Sequence, residues 1–218
     1  MKREFPLMSL LLIPIGIALN FVIGSLATWL KLPIFLDSVG TVLAAVLGGP
    51  IVGAVTGFLG VLSISAFAPS AVVWSLQAGV IGFITGLLAS YGWFKGVAKV
   101  AVSTTIIIGL SVLGSTVISY LVYGGFDGYG IGLIRAVLVE SGVSLPVAII
   151  VTSAVAELID KTISVVVPML VIGFMSDRAL SKFVNGTKLR NLSMSDSESA
   201  AQPDGPQPSA YGSYGDEQ

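Results

Sequence analysis

The sequence predicts an all-α integral membrane protein of six transmembrane helices, N-in and C-in. Three observations carry that reading. Only 11% of the residues are charged and 54% are hydrophobic, whereas a soluble domain carries about a quarter charged residues. The apolar runs are long, and a spanning helix needs about 20 such residues. The basic residues also gather on one side of the spans, as in cytoplasmic loops.

From Leu7 to Ser176 the charged residues are only Lys31, Asp37, Lys95, Lys99, Asp127, Arg135, Glu140, Glu157, Asp160 and Lys161. So few charges cannot coat a water-soluble globule, but such a chain can face lipid. The spans are read at about 7–29, 37–48, 50–67, 71–91, 98–123 and 146–176. Lys2 and Arg3 precede an apolar run from Phe5 to Leu30, longer than a signal-peptide core and followed by further spans. The first helix is therefore expected to stay uncleaved. Gly48-Gly49-Pro50 breaks the second span from the third, because proline and glycine interrupt a helix; the alternative is one kinked re-entrant hairpin. The last apolar run is long enough to tilt or to extend beyond the bilayer.

Positive-inside counting tests the topology. An N-in chain puts Lys2, Arg3, Lys95, Lys99, Arg178, Lys182, Lys188 and Arg190 inside, and only Lys31 and Arg135 outside. The six-helix domain is read over 1–187 and a cytoplasmic tail over 188–218. From about Asn191 the tail is rich in Ser, Pro, Gly, Gln and acidic residues, a composition that cannot bury enough surface to offset its ordering entropy. The glycine-rich stretch Tyr123–Ser144, with Asp127, Arg135 and Glu140, reads as an outer connection able to act as a lid.

Several function classes drop out. With no cysteine and no histidine, the chain lacks thiolate nucleophiles, imidazole bases and the commonest transition-metal ligands. A net charge of −1 makes no electrostatic case for nucleic acid. There is no Walker loop, GxSxG or HExxH, so no enzyme, cofactor or metal site is expected. Any ATP-driven step must come from another chain.

Three constellations stand out. The first is a ladder of small residues, Ala45, Gly49, Gly53 and Gly57, echoed by Gly82 and Gly86 and by Gly16, Asn20 and Gly24. Such a stripe lets a neighbouring backbone approach closely, within the bundle for the middle spans; for the first helix, a partner-docking face and internal packing both fit. The second is Glu157, Asp160 and Lys161. Ionisable groups at membrane depth ordinarily mark function; a structural ion network is the other reading, and depth favours it. The third gathers at the outer ends of the spans: Asp37, Trp74, Gln77, Tyr120, Tyr123, Tyr129, Arg135 and Glu140. Aromatic rings with a few polar groups suit a small ligand with a flat ring, and an interfacial aromatic belt explains the tyrosines equally well. Asp37 opens a span, where it either contacts ligand or complements a helix N-terminus. Asp37, Trp74, Gln77, Tyr129 and Glu140 are the expected substrate-binding residues.

The segments Leu36-Asp37-Ser38-Val39-Gly40-Thr41, Gly49-Pro50-Ile51-Val52-Gly53-Ala54 and Glu157-Leu158-Ile159-Asp160-Lys161-Thr162-Ile163-Ser164 resemble the substrate-binding S components of energy-coupling-factor (ECF) vitamin transporters. More narrowly, they resemble an uncharacterised group with an L-D-[ST]-[IV]-G-T opening, a G-P-x-x-G-A turn and an E-x-x-D-K-x-I-S segment. Together with Ser75–Gly82, the likeness covers about 1–183. It implies a multi-pass protein of the bacterial plasma membrane that binds a vitamin-like small molecule near the outer face. It also implies assembly with a transmembrane T component and two ATPase subunits, with toppling to release substrate inward. Many members dock through an A-x-x-x-A face on the first helix. Here Ala18 is followed by Val22, and Gly16, Asn20 and Gly24 are the nearest equivalent. The G-G-P-x-x-G turn also resembles membrane sensor domains of some bacterial histidine kinases, which leaves a stand-alone sensor or structural protein as the second reading.

Deleting residues 191–218 should leave membrane insertion and ligand binding intact, since that composition has no packing capacity. A truncated chain that fails to insert would contradict this.

Overall fold

A computed structural model describes residues 7–126 and 130–189 of the chain. Asp127, Tyr129 and everything from Arg190 onward lie outside the described residues. Those described are helical wherever they are regular: α1 (Leu7–Trp29), α2 (Val39–Gly48), α3 (Pro50–Ile64), α4 (Ala71–Ser90), α5 (Val97–Leu121), α6 (Gly130–Glu140) and α7 (Leu145–Gly173), then two single turns, α8 (Asp177–Leu180) and α9 (Gly186–Leu189). Among them α1, α4 and α5 are long and apolar enough to cross a membrane. Large apolar side chains such as Ile15, Leu76, Leu113 and Leu158 stand exposed on α1, α4, α5 and α7. That is a surface suited to lipid.

The second span is short, as its expected bounds of 37–48 imply, and does not reach across a membrane. α2 has 10 residues, or about 15 Å at 1.5 Å per residue, and begins at Val39, not at Asp37. The chain from Leu30 to Ser38 is instead a non-helical loop. At Gly49, with φ +91° and ψ −173°, the backbone adopts a conformation that glycine reaches without strain, and Pro50 starts α3 at once.

Close backbone contact holds α1 to α4 together. A Cβ on Gly40 would lie 2.1 Å from the Gly16 carbonyl oxygen, and one on Gly82 would lie 2.1 Å from that of Gly53. Gly57 sits equally tight on the Ala78 carbonyl. The ladder of α2 and α3 therefore packs inside the bundle. So does the stripe on α1, which sequence reading left open as a docking face. Gly16, Asn20 and Gly24 are all buried, packed on α2, α3 and the loop before α2. Asn20 donates from Nδ2 to Thr41 Oγ1 at 2.7 Å and accepts from the Gly40 amide at 2.8 Å, fixing the first turn of α2. Nothing on that stripe is left facing outward for a partner.

One end of the bundle is closed by the C-terminal segment. The Asn185 backbone amide donates to the Leu47 carbonyl and its Nδ2 to the Val46 carbonyl, both at 3.1 Å, supplying partners for the last turn of α2. The Lys188 ammonium bonds the Ser90 carbonyl, and the Val184 amide reaches Ser9 Oγ at 3.3 Å. The starts of α1 and α5, the α2–α3 turn and residues 177–189 thus meet at one end, together with Lys95, Arg178 and Lys182. The packed chain continues to Leu189, which is buried, past the boundary at 187 expected from composition.

The stretch read as a lid is anchored. Arg135 on α6 is buried and donates to Thr152 Oγ1 (2.9 Å), Ser153 Oγ (3.0 Å), Ser119 Oγ (3.1 Å) and the Gly125 carbonyl (3.2 Å). These bonds bind α6 to α5 and α7.

Gly53→Leu and Gly82→Leu should each lower the melting temperature or prevent recovery of folded protein, because overpacking costs about 1–3 kcal/mol even where side chains can yield and here the obstacle is backbone. Gly109→Leu, with open space at its Cβ, should be tolerated. Equal stability of all three in detergent would show that the α3–α4 contact is looser than described.

Candidate functional site

The loop before α2 does not stay at the end of the bundle; it turns inward until it meets α7. Two of its residues, Lys31 and Leu36, adopt left-handed backbone conformations (φ +50° and +51°), which cost a residue with a Cβ about 1–2 kcal/mol. The Leu36 conformation aims its amide at Asp160 Oδ1, 2.5 Å away. Gly24 makes room for the turn, since a Cβ there would lie 3.1 Å from the Asp37 Cβ.

Asp160 uses its other oxygen to accept from the Lys161 ammonium. That ammonium also donates to Ser38 Oγ at 3.2 Å and lies 3.3 Å from Glu157 Oε2. Ser38 in turn donates to Asp37 Oδ1 at 3.0 Å. Asp37, Ser38, Glu157, Asp160 and Lys161 thus form one connected network between loop and helix, with Glu157, Asp160 and Lys161 all buried. Burying a charge without a partner costs several kcal/mol, so loop and helix depend on one another.

Against this network lies a cavity of about 40 Å³, lined by Phe35, Asp37, Trp74, Gln77, Glu157 and Lys161 among others. That volume holds a few waters, at about 10–15 Å³ each. As it stands the space fits a small headgroup, and a vitamin-sized molecule requires the loop to move. Trp74 stacks on Tyr123 with ring centroids 5.8 Å apart and planes 5° from parallel, and Phe35 lies 6.1 Å from Trp74. The Tyr123 hydroxyl is tied to the Ser70 carbonyl. Phe35 and Trp74 form one wall, and Tyr123 supports Trp74 from outside the lining.

Two buried polar atoms on the lining residues have no hydrogen-bond partner, Trp74 Nε1 and Gln77 Oε1, and Glu157 Oε2 has only its ion pair with the Lys161 ammonium. The orientation of Gln77 is fixed by its neighbour. Its Nε2 donates to the Ser111 carbonyl at 3.0 Å, and the flipped amide would set two carbonyl oxygens against each other, so the oxygen stays available to the cavity. Gly114 on α5 leaves the space this amide occupies, for a Cβ there would lie 2.9 Å from Gln77 Cδ. An unsatisfied buried polar group costs about 1–3 kcal/mol, and two of them border this one cavity, where a polar guest would offset that cost.

Of the residues expected to bind substrate, the structure brings together Asp37, Trp74 and Gln77. Glu140 is exposed at the end of α6 and does not line the cavity; Tyr129 lies outside the described residues. Reading by depth set Glu157 and Lys161 apart from Asp37, as a mainly structural network. The structure puts them on the same cavity wall, because the loop carries Asp37 down to α7. Phe35 and Ser38 went unnoticed; their only signal was their place beside Asp37.

Comparisons with protein-family models, curated proteins and solved structures give no match to this chain.

Lys161→Met should lower the melting temperature sharply, by the equivalent of about 3–5 kcal/mol, as expected when one partner of a buried ion pair is removed. A variant as stable as the parent would show that the carboxyl groups do not rely on the ammonium.

Proposed function

We propose that the chain is the substrate-binding subunit of an ECF-type transporter: a six-span, N-in and C-in protein of the plasma membrane that captures a small molecule for ATP-driven uptake. The observation that carries this reading is the polar, partly unsatisfied cavity inside an otherwise apolar helical bundle. Groups so costly to bury are retained where they serve a ligand. The lining residues Asp37, Gln77, Glu157 and Lys161 fall within the three segments, and the stretch between them, that resemble S components. One basic end of the bundle, where Lys95, Arg178, Lys182 and Lys188 collect, fits the cytoplasmic face; the loop before α2 and the α3–α4 turn then face outside.

The ligand enters from that outer side by displacement of the 30–38 loop, and the T component and two ATPases supply the inward step. With Gly16, Asn20 and Gly24 inside, the T component must meet another surface. The exposed apolar face of α1, with Leu11, Ile15, Val22 and Leu26, lies on the opposite side of that helix. No feature of the cavity favours a sensor.

Two measurements test the proposal. Affinity purification from native membranes should recover an integral membrane partner and ATPases in stoichiometric amounts. Asp37→Asn should weaken binding of the co-purifying small molecule by about 1–3 kcal/mol if the carboxylate accepts a ligand hydrogen bond, with little loss of stability. Recovery of the chain alone, with no small molecule retained, would contradict the proposal.

A further inference from the structure

Resting on that reading of the cavity as the substrate site, we infer that it takes a small planar nitrogen cation, a guanidinium, amidinium or protonated amino-heterocycle headgroup, held by Glu157, Asp37 and the Gln77 carbonyl against the Trp74 ring. The argument starts from what the protein already satisfies. The lone ammonium at the site, on Lys161, is engaged: it donates to Asp160 and Ser38 and faces Glu157. Asp160 has both oxygens occupied, by Lys161 and by the Leu36 amide. The groups without any partner are one acceptor, Gln77 Oε1, and one donor, the Trp74 indole N–H, while Glu157 Oε2 has only an ammonium that it shares with Asp160 and Ser38. Trp74 is buried, with 9% of its surface exposed, and Glu157 with 3%.

Charge points the same way. Three carboxyl groups, on Asp37, Glu157 and Asp160, share one ammonium, so an entering cation finds countercharge already in place, whereas an entering anion must first pull Lys161 from its partners. In a site of low dielectric that difference is large. Shape follows from the aromatic wall: the Trp74–Tyr123 stack and Phe35 favour a flat guest, and a cation over an indole face gains a further electrostatic attraction. A cavity that holds only a few waters limits the buried part to a headgroup of that size. N–H donors on one edge answer Glu157 and Gln77, and a ring nitrogen or carbonyl on another answers the indole N–H.

The test uses three isosteric planar probes that differ in charge: guanidinium, urea and nitrate. Each is titrated at constant ionic strength into the full chain in detergent micelles, and the indole N–H resonance of Trp74 is followed, assigned by its absence in Trp74→Phe. Guanidinium should shift that resonance saturably, with a midpoint at least tenfold below that of urea, and nitrate should give no saturable shift. Glu157→Gln should raise the guanidinium midpoint at least tenfold. Gln77→Leu, which leaves the ion network intact, should raise it several-fold; Asp177→Asn on the exposed α8 turn should not change it. Urea or nitrate saturating at or below the guanidinium midpoint overturns the inference, as does the absence of a saturable shift with all three. Native mass spectrometry of the purified chain separates that failure from the larger one. A retained anion or neutral molecule that is lost in Gln77→Leu overturns the charge assignment and leaves the cavity as the substrate site. A molecule retained equally in Gln77→Leu and Trp74→Phe places the binding site elsewhere and overturns both.

Discussion

Everything at the candidate site depends on one constraint: an ammonium and three carboxyl groups inside an apolar bundle must satisfy one another. Lys161 cannot do this from α7 alone. Its partners are split between its own helix, Glu157 and Asp160, and the loop before α2, where Ser38 and Asp37 sit. The loop must therefore come to the helix, and it does so at the cost of a left-handed Leu36, repaid by the Leu36 amide on Asp160. Strain of this kind persists only where its surroundings over-determine it, and here the network does so.

The glycines make the constraint geometrically possible. Gly16 and Gly40 let α1 and α2 touch at the backbone, Gly53 and Gly82 do the same for α3 and α4, and Gly24 and Gly114 open the spaces that Asp37 and Gln77 fill. Without Cβ atoms at these places the polar side chains could not converge, and the cavity would widen or collapse. Asn20, held by Thr41 and Gly40, fixes the first turn of α2 and so the level at which the loop ends. Packing and chemistry are thus one problem in this molecule: the residues that bring helices close also set which polar atoms face the cavity.

How much of this was legible from sequence follows from the kind of signal each feature leaves. Long helices announce themselves by apolar length, and α1, α4 and α5 start and end within a few residues of their expected bounds. The break at Gly49-Pro50 was readable from glycine and proline chemistry. That Gly53 packs inside the bundle was readable from its four-residue spacing; that its neighbour is α4 was not. A short α2 was readable as well, but its start inside the bundle was not, because hydrophobicity cannot distinguish a helix that begins at the surface from one that begins inside. That single ambiguity led depth-counting to separate Asp37 from Lys161. The inward face of Gly16, Asn20 and Gly24 was equally hidden, since a small-residue stripe fits a neighbour in the same chain or in another. Glu140 drew notice for its charge, yet charge alone does not say toward which side a short helix turns it.

The claim that the Lys161 network holds the loop against α7 can be measured directly because the chain contains no cysteine. Val39→Cys places a thiol at the first residue of α2, where only 6% of the surface is exposed, and Ile107→Cys places one in the α5 core, fully buried, as a control for global unfolding. Labelling by a membrane-impermeant maleimide should be slow at both sites in the parent. Adding Lys161→Met should accelerate labelling at position 39 at least tenfold while position 107 stays protected. Equal, slow labelling at position 39 with and without Lys161 would contradict the account, since the loop would then be held by something other than the ion network.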